Sequence, residues 1–585
     1  MKRIHYYIIC AFSAICGLSS CTDFLEIKPQ NEIILEQFWN EKADVDAVIA
    51  GCYSGMQAEA VIKRMMVWGE FRSDNIGPGN NVSSDGNLEK ILKENIDAKN
   101  SYTNWGGFYT VINRCNTVIK YAPDVAADDP AYTESELQAN IAEMVTLRSL
   151  CYFYLIRAFR DVPFSREAYI DDSQKMDLPA TKFDDVLDSL IYDLEGVQSF
   201  AVKRYPVTKE LYQTGRITQD AIHALLCELY LWKKDYQNCI RYADMVIDSK
   251  KLIAEENRQK RSSSFSNEDD DARFNGFPLV SNSTSTGYYG DAYSILFGSD
   301  RNYVDKTNQE IIFQLVFDDN PSNNGMPANA AVNTFYGNSN ATIGLVAPPD
   351  HIFSDIEKTT GRTIFDDRNK KVDARMYFDC NVNNQSINKY TTREIEINGS
   401  SMDVTYDSKY SQNENGSNWV IYRLTDIMLL KAEALTQMAR EGIDQETSDY
   451  NKTLFDRAFT LINAVNKRAL CQSKLVDTLR RADYNSKASM ETLVLRERQR
   501  ELMYEGKRWF DLVRVSQRTG NTSVLKAAAL SKATTGEGLI SNHLTKMDAI
   551  YWPYNLDEMK VNHNLVQNPA FGSGENDSYE KTTKK

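Results

Sequence analysis

The chain has 585 residues, 42% of them hydrophobic, and a formal charge of −14 at pH 7. That is enough apolar material for a large core, and the acidic balance excludes nucleic acid as a partner, since phosphate binding needs a basic face. The five histidines are scattered at His5, His223, His351, His543 and His563, with no HExxH, GxSxG or GxxxxGK[ST] anywhere. Zinc hydrolysis, a serine-hydrolase elbow and phosphate-loop chemistry therefore have no sequence support, and neither a metal nor another cofactor is expected.

In chain order, the first element is an export signal. Lys2 and Arg3 precede an apolar run from about Tyr6 to Leu18. It is too short to span a bilayer, which takes ~20 apolar residues, but it has the length of a secretory signal core. It ends in Leu18-Ser19-Ser20-Cys21, small residues before a cysteine, which resembles a bacterial lipobox. Residues 1–20 are expected to be a removed signal peptide and Cys21 the lipidated first residue of a membrane-anchored mature chain. The removed segment carries two positive charges and no acid, so the mature charge goes from −14 to −16. A diacylated cysteine carries more than one acyl chain, which stable anchoring requires. Losing Cys10 and Cys16 with the signal leaves Cys52, Cys115, Cys151, Cys227, Cys239, Cys380 and Cys471 beside Cys21. An odd remainder with no CxxC reads as small core residues, not as a disulfide framework or zinc site.

The rest, 21–585, reads as one interwoven, mainly α domain. A helical frame covers about 41–254 and 416–570, and a loop-rich insertion with small β elements covers about 255–415. Within the frame, Leu226, Cys227 and Tyr230, then Tyr236, Cys239, Ala243 and Val246, have the spacing of a tetratricopeptide-type helix pair with small residues at the contact. The second half recurs at Phe455, Ala458, Ile462 and Val465, and the first half, loosely, at Cys151 and Tyr154 and in 427–434. The insertion is rich in Asn, Ser, Gly and Asp and contains the strand-like run Ile311 to Phe317.

Aromatics in polar, glycine-containing segments are the candidate ligand contacts. Sugar rings offer apolar CH faces to stack on, while Asn, Asp and Arg bond their hydroxyls. Three segments fit: Trp68 to Asn75, Tyr102 to Tyr109, and Tyr288-Tyr289. The expected site is Trp105 stacking on a sugar, Asp74 and Asn75 bonding hydroxyls, and Tyr102, Trp68, Tyr288 and Tyr289 nearby. For Trp68, Phe108 and Tyr109 a core position is the stronger reading. Glu501 and Glu505, four apart in a charge-dense segment, read as an ion-pair network fixing a helix to the core, and no catalytic residue is assigned.

Several longer segments together resemble the SusD/RagB-like outer-membrane lipoproteins of Bacteroidetes. After Cys21 come Thr22-Asp23-Phe24-Leu25-Glu26-Ile27-Lys28-Pro29. Further along stand Arg148 to Leu155 with Asp161-Val162-Pro163, Gly215-Arg216-Ile217-Thr218, Tyr422 to Ala434, Asn463 to Ala469, Arg496 to Leu512, and Tyr551-Trp552-Pro553 with Asn564 to Pro569. Departures are Arg160 where the family often has Gly, Asn466-Lys467 inside Asn463 to Ala469, and Trp552 and His563-Asn564 in the last segment. The resemblance implies four tetratricopeptide-like pairs supporting an irregular ligand-binding side. It also implies a non-enzymatic protein displayed at the outer-membrane surface, capturing an oligosaccharide, or less often a peptide. Its partner would be a SusC-like TonB-dependent barrel. A protein-interaction scaffold and a surface hydrolase are the competing readings. The first lacks a use for the aromatic loops, and the second lacks a nucleophile or metal motif.

Overall fold

The computed structural model describes residues 38–572, apart from 172, 472–478, 534–535 and several stretches of the middle third: 261–273, 283–286, 299–303, 319–325, 339–341, 353–363, 366–372, 382–385, 402 and 409–414. Cys21 and the signal segment lie outside the described residues. The principal helices are α1 (Lys42–Gln57), α2 (Glu59–Met66), α3 (Gly106–Asp128), α4 (Glu134–Phe159), α5 (Phe183–Val197), α6 (Gln219–Lys233), α7 (Tyr236–Lys260), α8 (Leu424–Gln437), α9 (Gln445–Arg468), α10 (Lys487–Leu502) and α11 (Arg508–Thr519). They pack as a chain of pairs, α1 with α3, α4 with α5, α6 with α7 and α8 with α9. Each pair leans on the next, and α10 closes the end of the stack against α8 and α9.

Local chemistry explains the pairs. Thr133 and Glu136 form a capping box at the start of α4, which satisfies two of the otherwise orphaned first-turn N–H groups. Helix α6 ends on Lys234 in the left-handed region, and α7 follows two residues later. Cys227 and Cys239 meet across this hairpin with their sulfurs 3.7 Å apart. A larger side chain at either position would separate the helices. Helices α6 and α8 are buried on nearly every side, as expected of elements inside the stack rather than on its surface. Phe455, Ala458, Ile462 and Val465 of α9 fill a smaller core with α8 and α10. The seven described cysteines are free and buried.

The segment 288–423 supplies the longer strands. β1 (Tyr288–Tyr289), β3 (Thr392–Asn398) and β4 (Val404–Ser408) form an antiparallel sheet in the order β4-β3-β1. β2 (Ile311–Leu315) pairs antiparallel with β5 (Trp419–Arg423), so the run Ile311 to Phe317 does enter a strand, ending at Leu315. Both of those strands are buried along their whole length, which is why their sequence reads as a continuous apolar run without alternation. Among the described residues no helix is long and apolar enough to cross a membrane.

Candidate functional site

The segment Trp68 to Asn75 is buried throughout. Helix α2 runs on into a single π turn, Val67–Phe71, whose residues are all buried. A Cβ on Gly69 would lie 1.8 Å from the Gly506 carbonyl oxygen, so this backbone packs directly on the turn between α10 and α11. Glu70 accepts the N–H groups of Tyr504, Lys507 and Arg508 at 2.9–3.2 Å, placing an anion at the N-terminus of α11 where the helix dipole favours it. Burial still pushes its carboxyl above the ordinary range, against those bonds. Asp74 takes a two-pronged pair from Arg508 (2.8 and 2.9 Å), and Gln499 donates to both Asp74 and Asn75. These bonds tie both side chains to the frame around α10 and α11.

Most of the other expected contacts are also buried. Trp105 is 3% exposed, with Phe159, Tyr109 and Tyr554 around its ring at centroid distances of 5.0–5.6 Å. Glu558 lies beside its indole N–H. Trp68 stacks on Phe108 and donates to the Tyr102 carbonyl, while the Tyr102 hydroxyl bonds Asp85. These rings are brought together, but as core. Tyr289 is buried on β1, and its neighbour Tyr288, at 44% exposure, is the one expected contact with substantial solvent access.

The charge-dense segment is an ion network. Helix α10 ends at Leu502, so Glu501 and Glu505 do not share a helical face as their spacing suggested. They converge instead on Arg423, through Glu501 Oε1 at 2.5 Å and Glu505 Oε1 at 2.7 Å. Glu501 also meets Arg375 and Arg468, and Lys389 meets Glu505 at 2.8 Å, all without solvent exposure. The three guanidiniums hold the Glu501 carboxyl well below the usual range despite its burial. Such a carboxylate is a poor proton donor or acceptor near neutral pH. Among the described residues no group of three His, Cys, Asp or Glu could hold a metal ion.

The concave feature is a cleft of about 710 Å³ where α1 and the start of α4 meet residues 202–217 and the end of β2, within the ~300–1,000 Å³ of small-molecule sites. Tyr53, Tyr205 and Tyr212 supply its aromatic surface. The Tyr205 and Tyr212 rings meet edge to face, 5.6 Å between centroids. The Arg216 guanidinium lies 5.2 Å from the Tyr212 ring centre and 5.8 Å from that of Tyr53. Glu143 of α4 fixes it, accepting from Arg216 Nε at 2.8 Å and from the Tyr53 hydroxyl. That hydroxyl in turn accepts the Ile217 N–H at 2.9 Å. Burial, then the Glu143 charge, raises the Tyr53 phenol well above its ordinary pKa, so it stays a neutral donor. Gln57 donates to the Val316 carbonyl, tying α1 to the strand end. Gly215 allows the close approach, since a Cβ there would meet the Val316 side chain at 2.8 Å. Rim charges are Lys42, Lys209, Asp46 and Glu136, and the floor is apolar, with Ile49, Ile217, Leu315 and Met326. Tyr212 is 39% exposed.

None of these cleft residues was expected. Arg216 was in view only as part of Gly215-Arg216-Ile217-Thr218, and the available signal was Tyr205 and Tyr212 standing in a polar, proline-broken stretch where aromatics have no helical face to occupy.

The stacked helix pairs with a loop-rich side define a tetratricopeptide-like binding frame. A family model described as "Starch-binding associating with outer membrane" matches residues 23–231, and one described as "SusD family" matches 298–571. The chain belongs to the SusD/RagB-like family. The SusD-like protein P38 of Formosa agariphila is 26% identical over 95% of this chain and 96% of its own length. A SusD superfamily protein from Bacteroides thetaiotaomicron shares the fold with a TM-score of 0.60 at 21% identity, covering 91% of this chain and 99% of its own. A laminarin-binding SusD-like protein does so with a TM-score of 0.58 at 20% identity, covering 91% and all of its own chain.

Proposed function

We propose that this protein is a glycan-capturing lipoprotein of the outer-membrane surface, non-enzymatic, that takes up an oligosaccharide in the junction cleft. The observation that carries the reading is the cleft itself: three tyrosines and a fixed guanidinium line a space of about 710 Å³ that is apolar in its floor and polar at its rim. That is the pairing of surfaces a sugar presents, CH faces and hydroxyl edges. The SusD fold and the laminarin-binding relative support a saccharide as the ligand class.

Cys21 holds the mature chain to the membrane, and a SusC-like TonB-dependent barrel receives the captured glycan. The test is calorimetric titration of the wild type and Tyr212→Ala with oligosaccharides found by glycan-array screening. Truncating a ring that anchors a ligand costs about 2 kcal/mol or more, some thirtyfold in affinity. Binding without product formation, weakened by Tyr212→Ala, is expected. Steady hydrolysis that scales with protein, or affinity indifferent to Tyr212, overturns the reading.

A further inference from the structure

We infer that the junction cleft selects neutral saccharides and excludes anionic ones, and that Glu143 is the residue that sets this preference. The inference rests on the cleft being the saccharide site, and it follows from how the charges on its walls are spent. Three cations face three carboxylates there. Lys42 Nζ is 2.7 Å from Asp46 and 4.0 Å from Glu136. Arg216 gives two of its donors to Glu143. Lys209 stands exposed at the rim with its ammonium 5.8 Å from the Tyr212 ring centre.

A uronate or sulfate entering as far as Arg216 competes with buried Glu143 for that guanidinium, and displacing Glu143 would leave its carboxylate uncompensated, which is costly. The chain's overall charge of −14 adds to the repulsion. A neutral sugar meets no such penalty. Its hydroxyls can donate to the carboxylate lone pairs and accept from Asn140 and Gln57 on the walls while the ion pairs stay closed. Arg216 is therefore part of the wall and not an anion receptor, and Glu143 is what keeps it so.

The proposal separates from a merely structural role of the pair because removing Glu143 should change which ligands bind. The test is affinity measurement on immobilised neutral hexasaccharides (gluco-, manno-, galacto- and xylo-) and on hexamers of galacturonate, mannuronate and sulfated galactose. Wild type should bind one or more neutral members and no anionic one more tightly. Glu143→Gln keeps an acceptor for the Tyr53 hydroxyl but frees the Arg216 charge. It should tighten anionic hexamers about tenfold, the size of one charge-assisted hydrogen bond. If Glu143→Gln fails to fold by circular dichroism, Asp46→Asn releases Lys42 at a more exposed position and should shift the preference in the same direction. A wild type that prefers an anionic hexamer, with binding lost in Tyr212→Ala, overturns the charge selection but leaves the cleft as the site. An unchanged profile in a folded Glu143→Gln also overturns it. Absence of binding to every member overturns the saccharide reading and this inference together.

Discussion

Trp105→Ala discriminates a buried ring from a ligand platform. The indole sits at the N-terminus of α3 between Phe159 at 5.0 Å, Tyr554 at 5.3 Å and Tyr109 at 5.6 Å. Aromatic pairs of this kind contribute ~0.5–1.5 kcal/mol each beyond their area. Removing the side chain also leaves a cavity. The whole is a core truncation of about 3–5 kcal/mol. The assay is urea denaturation followed by circular dichroism, run beside Tyr212→Ala. With its half-exposed ring, Tyr212 should change stability by about 1 kcal/mol or less. The expected result is a large drop in denaturation midpoint for Trp105→Ala with cleft affinity retained below the transition, and the opposite pattern for Tyr212→Ala. Weakened glycan binding with an unchanged midpoint in Trp105→Ala would refute the burial argument and return that indole to the ligand site.

Glu501→Gln leaves Arg375, Arg423 and Arg468 short of one shared partner in a solvent-free network, so unfolding free energy should fall by about 3–5 kcal/mol. A loss under ~1 kcal/mol in denaturant titration would contradict the network's importance. Arg160 holds φ 70° and ψ −80°, with the Asp161 N–H turned back to the Phe159 carbonyl, a strained tight turn. Arg160→Gly relieves this at the cost of two part-exposed pairs, with Asp548 and Asp161, so a net gain of about 1 kcal/mol is expected. A lower melting temperature would show that the ion pairs outweigh the strain. Cys21→Ala should abolish metabolic fatty-acid labelling and membrane retention, whereas a variant that stays membrane-bound with an unmodified N-terminus would refute lipid anchoring.

The frame was legible because periodicity is a local signal. The spacing of Cys227, Cys239, Phe455 and Ala458 marks helix pairs whatever lies far away, and the buried run Ile311 to Leu315 marks a strand. The bonding of Glu70, Asp74 and Asn75 was not legible for the complementary reason. A Trp-Gly-Glu stretch with Asp and Asn looks the same whether it meets solvent or backbone. What decides it here is Gly506 and Arg508, more than 430 residues away in the chain. Trp105 beside two glycines likewise looked exposed, yet Tyr554 and Glu558 cover it from the far C-terminal end. The cleft draws Tyr53, Glu143 and the pair Tyr205 and Arg216 from three separate segments, each unremarkable alone. Only the packing of α1 on α4 and on the end of β2 brings them together.

The most direct test of the central claim is a crystal structure of the protein with its highest-affinity neutral oligosaccharide. Sugar density between Tyr53, Tyr205 and Tyr212, with the Arg216–Glu143 pair intact, is the expected result. A glycan bound elsewhere on the molecule, with the cleft empty, would contradict the account.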